Sequence, residues 1–206
     1  MRLSDLEKET IVQTVRQVIY FVTIACGGLI LRALTSHYRT STFWEYGIVE
    51  NIQLTLLLLT AGIFGVNAFV LKQNRGLFFF FMGLCLLASC RELDSYFGDR
   101  LPVIGWKFGY LFPLVGLGLF IRRKEEARKS FFHFLKTPAF QMMSLVIVML
   151  LIAQILGHRP FIEEAYGKRI DSRAVRRIFE EGLECMAYLL LLLSAVECYF
   201  DFSKKK

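Results

Sequence analysis

Four short stretches place ionisable side chains at the ends of strongly apolar segments. They are "WEYGIVENIQ" at 44–53, "RELDSYFGDR" at 91–100, "GHRP" at 157–160 and "FEEGLEC" at 179–185. Between them they offer Glu50, Glu92, Glu181 and Glu184, with His158 as the accompanying imidazole. Carboxylates with one imidazole form a hard-ligand set, suited to Ca²⁺, Mg²⁺ or Mn²⁺ and, through His158, to Zn²⁺ or iron. A divalent metal ion is therefore the expected cofactor, with Glu50, Glu92 and His158 as candidate general acids or bases. Arg100 and Arg159 fall at the same level and could hold an anionic substrate group, with Gln53 beside them.

The spacing does not match an established catalytic motif. The chain has no HExxH, paired CxxC, P-loop or GxSxG sequence. Glu181 and Glu184 are spaced as carboxylate ligands in helical bundles often are. Di-iron bundles, however, pair a Glu with a His at that spacing twice, and here His158 stands by itself at this level. Plainer roles compete for some of these residues. Arg176 with Glu180, and Arg177 with Glu181, are spaced as surface ion pairs on a helix. Glu45, Asp99, Glu163 and Glu164 read as solvated loop acids, and His158 as a cation at a helix C-terminus. Glu50, Glu92 and Glu184 lie deeper, where a carboxylate is expensive unless used or paired.

The elements that position these groups are membrane helices. Of 206 residues, 55% are hydrophobic. Six apolar runs, at about 12–35, 47–71, 77–93, 103–121, 139–157 and 183–201, have the length of spanning helices. A helix satisfies its own backbone groups where hydrocarbon cannot. The fold class expected is all-α: a six-transmembrane-helix bundle forming a single integral membrane domain over 1–206. Ser4 and Glu7 make a capping box that opens a helix near Asp5, and the acids of "MRLSDLEKET" argue against a cleavable signal peptide. The formal net charge of +7 would suggest nucleic acid in a soluble protein. Here the basic residues sit between spans, so lipid headgroups explain them and no nucleic-acid partner is expected. "KQNR" at 72–75, "RRKEEARKS" at 122–130 and the "KKK" tail share one side. The positive-inside rule makes that side cytoplasmic, with both termini in the cytoplasm of a plasma (inner) membrane protein. Cys26, Cys85, Cys90, Cys185 and Cys198 all fall within spans and read as small packing residues.

With that topology the acids reach one level on the outer side. Helical spacing puts Glu50, Gln53, Thr60 and Asn67 on one face of the second span, and Glu181, Glu184 and Tyr188 on one face of the last. A lipid-facing charge costs about 2.5–3.5 kcal/mol on insertion scales, so these faces turn inward. The resulting expectation is an outward-open acidic funnel narrowing to Gln53, Thr60 and Asn67, with the third and sixth spans adjacent.

"EYGIVE", "RELDSYFGDR" and "EEGLE", in that order, resemble a group of bacterial multi-pass membrane proteins of unknown function. Those carry an E-D-G-x-x-E stretch, then G-E-E-I-S-W-G-Q-R, then a final helix opening with acids. The resemblance maps onto Glu45, Gly47, Glu50, Glu92, Gly98, Arg100, Glu181 and Glu184, while Tyr46 and Arg91 depart from it. It implies that these acids form one site. Three functions fit: a metal-dependent enzyme on a lipid-linked or envelope substrate, a cation- or proton-conducting transporter or channel, and a non-catalytic partner subunit. A homo-oligomeric pore is compatible with the second.

Overall fold

A computed structural model describes residues 5–38, 47–71, 74–94, 105–122, 124–156 and 172–203. Among these residues all regular structure is helical: seven α-helices and one 3₁₀ helix. The chain forms two compact units, Met1–Arg39 and Thr40–Lys206. The first is the helix α1 (Asp5–Tyr38), whose apolar residues, including Ile19, Phe21 and Leu29, are exposed. The second holds α2 (Ile48–Val70), α3 (Arg75–Glu92), the 3₁₀ helix Gly105–Tyr110, α4 (Leu111–Arg122), α5 (Lys124–Phe134), α6 (Pro138–Leu156) and α7 (Ser172–Ser203).

Four helices are long and apolar enough to cross a membrane: Thr10–Leu34 within α1, α2, α6, and Val175–Ser203 within α7. They mark a membrane protein. The third expected span falls on α3, whose 18 residues include Arg75, Arg91 and Glu92. The fourth falls on the 3₁₀ helix and α4, which is only 12 residues long.

Local sequence explains several boundaries. Thr137 caps α6, its hydroxyl accepting from Phe140 N at 3.3 Å, and Pro138 takes the first helical position, where no N–H is needed. Gly105 precedes α4 at φ +50°, a conformation side chains rarely adopt, and lets the chain turn into the 3₁₀ helix.

The helices pack in the order α4–α3–α2–α7–α6. Hydrogen bonds fix their directions. Gln53 reaches Glu181, and Asn67 reaches the Ala195 carbonyl, both across 128 residues of sequence. An offset that is the same at both points means that α2 and α7 run parallel. Tyr188 meets Glu92, while Phe202 meets Phe78 with ring centroids 5.2 Å apart, so α3 runs against α7. Gln154 meets Glu184 and Ser194 meets the Ala139 carbonyl, so α6 also runs against α7.

The third and sixth expected spans, α3 and α7, do not pack backbone to backbone as α2 and α3 do. Long side chains bridge them instead: Phe78 to Phe202, Glu92 to Tyr188 and Arg91 to Glu184. The core lies in the half away from the acids. Phe64, Phe78, Phe81, Phe134 and Phe202 gather there with Ala195 and Cys198. On the outside, Leu111, Leu114 and Val115 of α4 and Leu145, Ile147 and Leu151 of α6 are exposed, as lipid-facing residues are.

The tightest packing joins α3 to the 3₁₀ helix and α4. A Cβ at Gly83 would sit 2.6 Å from the Phe112 carbonyl, and one at Gly116 would sit 2.6 Å from the Phe80 Cα. Gly76 meets the Phe120 backbone in the same way, 2.7 Å from its Cα, while Gly109 faces the Cys90 side chain at 3.0 Å. Each strand of this contact repeats at heptad spacing, Gly76 with Gly83 and Gly109 with Gly116. Small residues at that repeat let two helices touch backbone to backbone.

Candidate functional site

The acids gather where α3 ends and the apolar part of α7 begins. Glu184 is only 3% exposed, yet it is well partnered. Its Oε1 accepts from the Arg91 guanidinium at 3.2 Å and from the Gln154 amide at 2.9 Å. Arg91 is 47% exposed, so this ion pair spans the boundary between interior and surroundings. Glu92 accepts from the Tyr188 hydroxyl at 2.9 Å. Glu181 accepts twice from the Gln53 amide nitrogen, at its backbone oxygen (3.0 Å) and at Oε2 (3.1 Å).

Glu181 acts electrostatically on Glu92 and Glu184, and Glu50 acts on Glu181. Glu50, Glu92, Glu181 and Glu184 are thus brought to one end of the bundle, as their order in the sequence leads one to expect. His158, Arg100 and Arg159 lie outside the described residues, as do Glu45, Tyr96 and Asp99. Among the described residues, no three His, Cys, Asp or Glu side chains form a group that could hold a metal ion. The five cysteines are free thiols, with Cys85, Cys90, Cys185 and Cys198 buried and Cys26 exposed.

The expected open funnel is a sealed seam. Gln53, Thr60 and Asn67 are 0–1% exposed. Each bonds inside the bundle: Gln53 to Glu181, Thr60 to the Leu56 carbonyl at 2.7 Å, and Asn67 to the Ala195 carbonyl at 3.1 Å. The reason is the parallel register of α2 and α7, which lays the polar face of α2 directly against α7.

Two further residues matter: Gln154, which helical spacing puts on one face with His158, and Glu197, which spacing does not mark. Gln154, on the acid-facing side of α6, completes the shell of Glu184. Glu197 is a second buried acid, 2% exposed, toward the opposite end of α7. An ionisable residue within an apolar span is a signal in its own right. "SAVECYFDF" contains it, but far from the acidic start of the helix. Trp106 and Tyr110 pair with ring centroids 5.5 Å apart on the 3₁₀ helix, beside the end of α3. Aromatic residues of this kind anchor helix ends at a membrane interface.

A scan against protein-family models, a search of curated proteins and a search of solved structures each find no match for this chain.

Proposed function

We propose that this chain is a six-span protein of the plasma (inner) membrane that takes up protons or another small cation at the carboxylates joining α3 and α7. The observation that carries this reading is the character of their partners. Glu92 and Glu181 receive hydrogen bonds from neutral donors, Tyr188 and Gln53, while Arg91 is engaged with Glu184. Carboxylates held in an apolar bundle by neutral donors invite a positive charge to join them.

Buried polar groups continue along the bundle from this site. Gln53 and Asn67 lie about 21 Å apart along α2, with Thr60 midway, and buried Glu197 lies toward the far end of α7. A metal-dependent enzyme would require Glu50, Glu92, Glu181, Glu184 and His158 to share one ion. Tyr188, Gln154 and Arg91 already occupy two of those carboxylates, which favours the cation-conducting reading.

Helix directions support six spans. The chain leaves α3 at the acid end, and α6 starts at the opposite end. The 3₁₀ helix and α4 cover that return, following α3 from Gly109 beside Cys90 to Phe120 beside Gly76. At their respective rises they extend about 12 Å and about 18 Å, which together match a bilayer core.

The basic end carries Arg75, Arg128 and Lys129 and reads as cytoplasmic. In a cysteine-free background, a membrane-impermeant thiol reagent added to intact cells should label Lys107→Cys and leave Lys129→Cys unlabelled. The reverse pattern would place the acids on the cytoplasmic side.

Function is tested in sealed liposomes carrying a pH-sensitive dye and an imposed inside-negative potential. The wild type should acidify the lumen faster than protein-free vesicles. Glu92→Gln should slow this about tenfold or more, because glutamine still accepts from Tyr188 but cannot take up a proton. Lys129→Gln should conduct normally. Wild-type traces that match empty vesicles, with proton and with alkali-metal gradients alike, would rule the reading out.

A further inference from the structure

Gln53 is fully buried, and its Oε1 has no hydrogen-bond partner among the described residues. The amide orientation is not open to exchange. Its nitrogen faces two acceptors, the backbone oxygen and Oε2 of Glu181, and turning the group over would set oxygen against oxygen. A buried, unsatisfied amide oxygen is costly, and such groups normally mark a missing donor. The Glu181 carboxyl, which already accepts from the same amide, becomes a donor when it is protonated.

We infer that Glu181 and Gln53 form a proton-holding site, a carboxylic acid–amide pair in which Glu181 carries the proton. In such a pair the amide N–H donates to one carboxyl oxygen and the carboxyl O–H donates to the amide oxygen. The ring closes on itself, and Oε1 of Gln53 gains its donor. The ionised form cannot do this, because a carboxylate only accepts. Glu180 and Glu184 on α7, Glu50 on α2 and Glu92 on α3 are acidic neighbours; of the cations, Arg91 on α3 bonds to Glu184, and Arg176 and Arg177 on α7 act on Glu180. This inference deepens the proposed cation uptake by naming the carboxyl that holds the proton. It rests on the Gln53–Glu181 geometry, so it stands or falls separately from transport.

Infrared difference spectroscopy of the full chain in lipid tests it. At neutral pH the wild-type minus Glu181→Gln spectrum should contain a protonated-carboxyl C=O band that disappears as the pH is raised. Gln53→Met keeps the length of the side chain but removes both amide groups. In that variant the band should move to higher frequency, as it does when a carboxyl loses a hydrogen-bonded partner. If Glu181→Gln does not fold, wild type minus Gln53→Met still reports the shift. A difference spectrum with no such band overturns the inference, and so does a band abolished by Na⁺ or Ca²⁺ at constant pH, since a metal ion would then be the ligand. Flux without the band would leave transport standing without this site. The band without flux would leave the site standing without transport.

Discussion

Arg91→Met is expected to destabilise the protein in detergent by about 3 kcal/mol, and Glu184→Gln added to it should return most of that loss. The asymmetry of the pair sets the result. Glu184 is 3% exposed while Arg91 is 47% exposed. Removing the arginine strands a charge in the interior, with the Gln154 amide as its remaining donor. Removing the carboxylate instead frees a cation that can turn outward. Glu184→Gln by itself should therefore cost less than Arg91→Met. The partial exposure of Arg91 keeps the first cost at the lower end of what breaking a buried pair entails. Thermal melts of the two single variants and the double variant measure the coupling. Equal losses in both singles, adding in the double, would show that the contact carries no net energy.

Gly83→Ala should be at least as damaging, about 3 kcal/mol, although it adds a single methyl group. That methyl would stand 2.6 Å from the Phe112 carbonyl and 2.7 Å from the Pro113 Cα. These are backbone atoms of α4, so no rotamer change relieves the contact and the two helices must part. Gly118, on α4, has open space where a Cβ would go. Gly118→Ala should be neutral or stabilising by up to about 1 kcal/mol, through helix propensity. Unfolding of both variants in mixed micelles makes the comparison. A similar response from the two would mean that α3 and α4 are not held at this distance.

Much of the acidic end was legible in the sequence because helical spacing and apolar length are local properties. Glu50 and Gln53 fall on one face by their separation, and Glu181, Glu184 and Tyr188 do so on another. What could not be read was which side chain meets which across helices. The contacts of Glu92 with Tyr188, and of Glu184 with Gln154, depend on axial register, which packing sets. The expected funnel was sealed for the same reason, since a polar face says that it turns inward without saying what it meets. The α3–α4 contact had a visible trace in the glycines seven apart, yet only the geometry shows that they interlock. The expected third and fourth spans are the least membrane-like of the six, because α3 carries Arg75, Arg91 and Glu92 and α4 has only 12 residues after its 3₁₀ opening.

The constant offset of 128 residues between α2 and α7 bears on the order of assembly. α3 with α4, and α6 with α7, are neighbours along the chain and pack as hairpins, so each can form soon after it is made. α2 finds its other partner only when the last helix has been made. Until then the amides of Gln53 and Asn67 lack the acceptors that α7 supplies in the finished bundle. α2 is thus completed by a helix made long after it, in the pairing that brings Gln53 to Glu181.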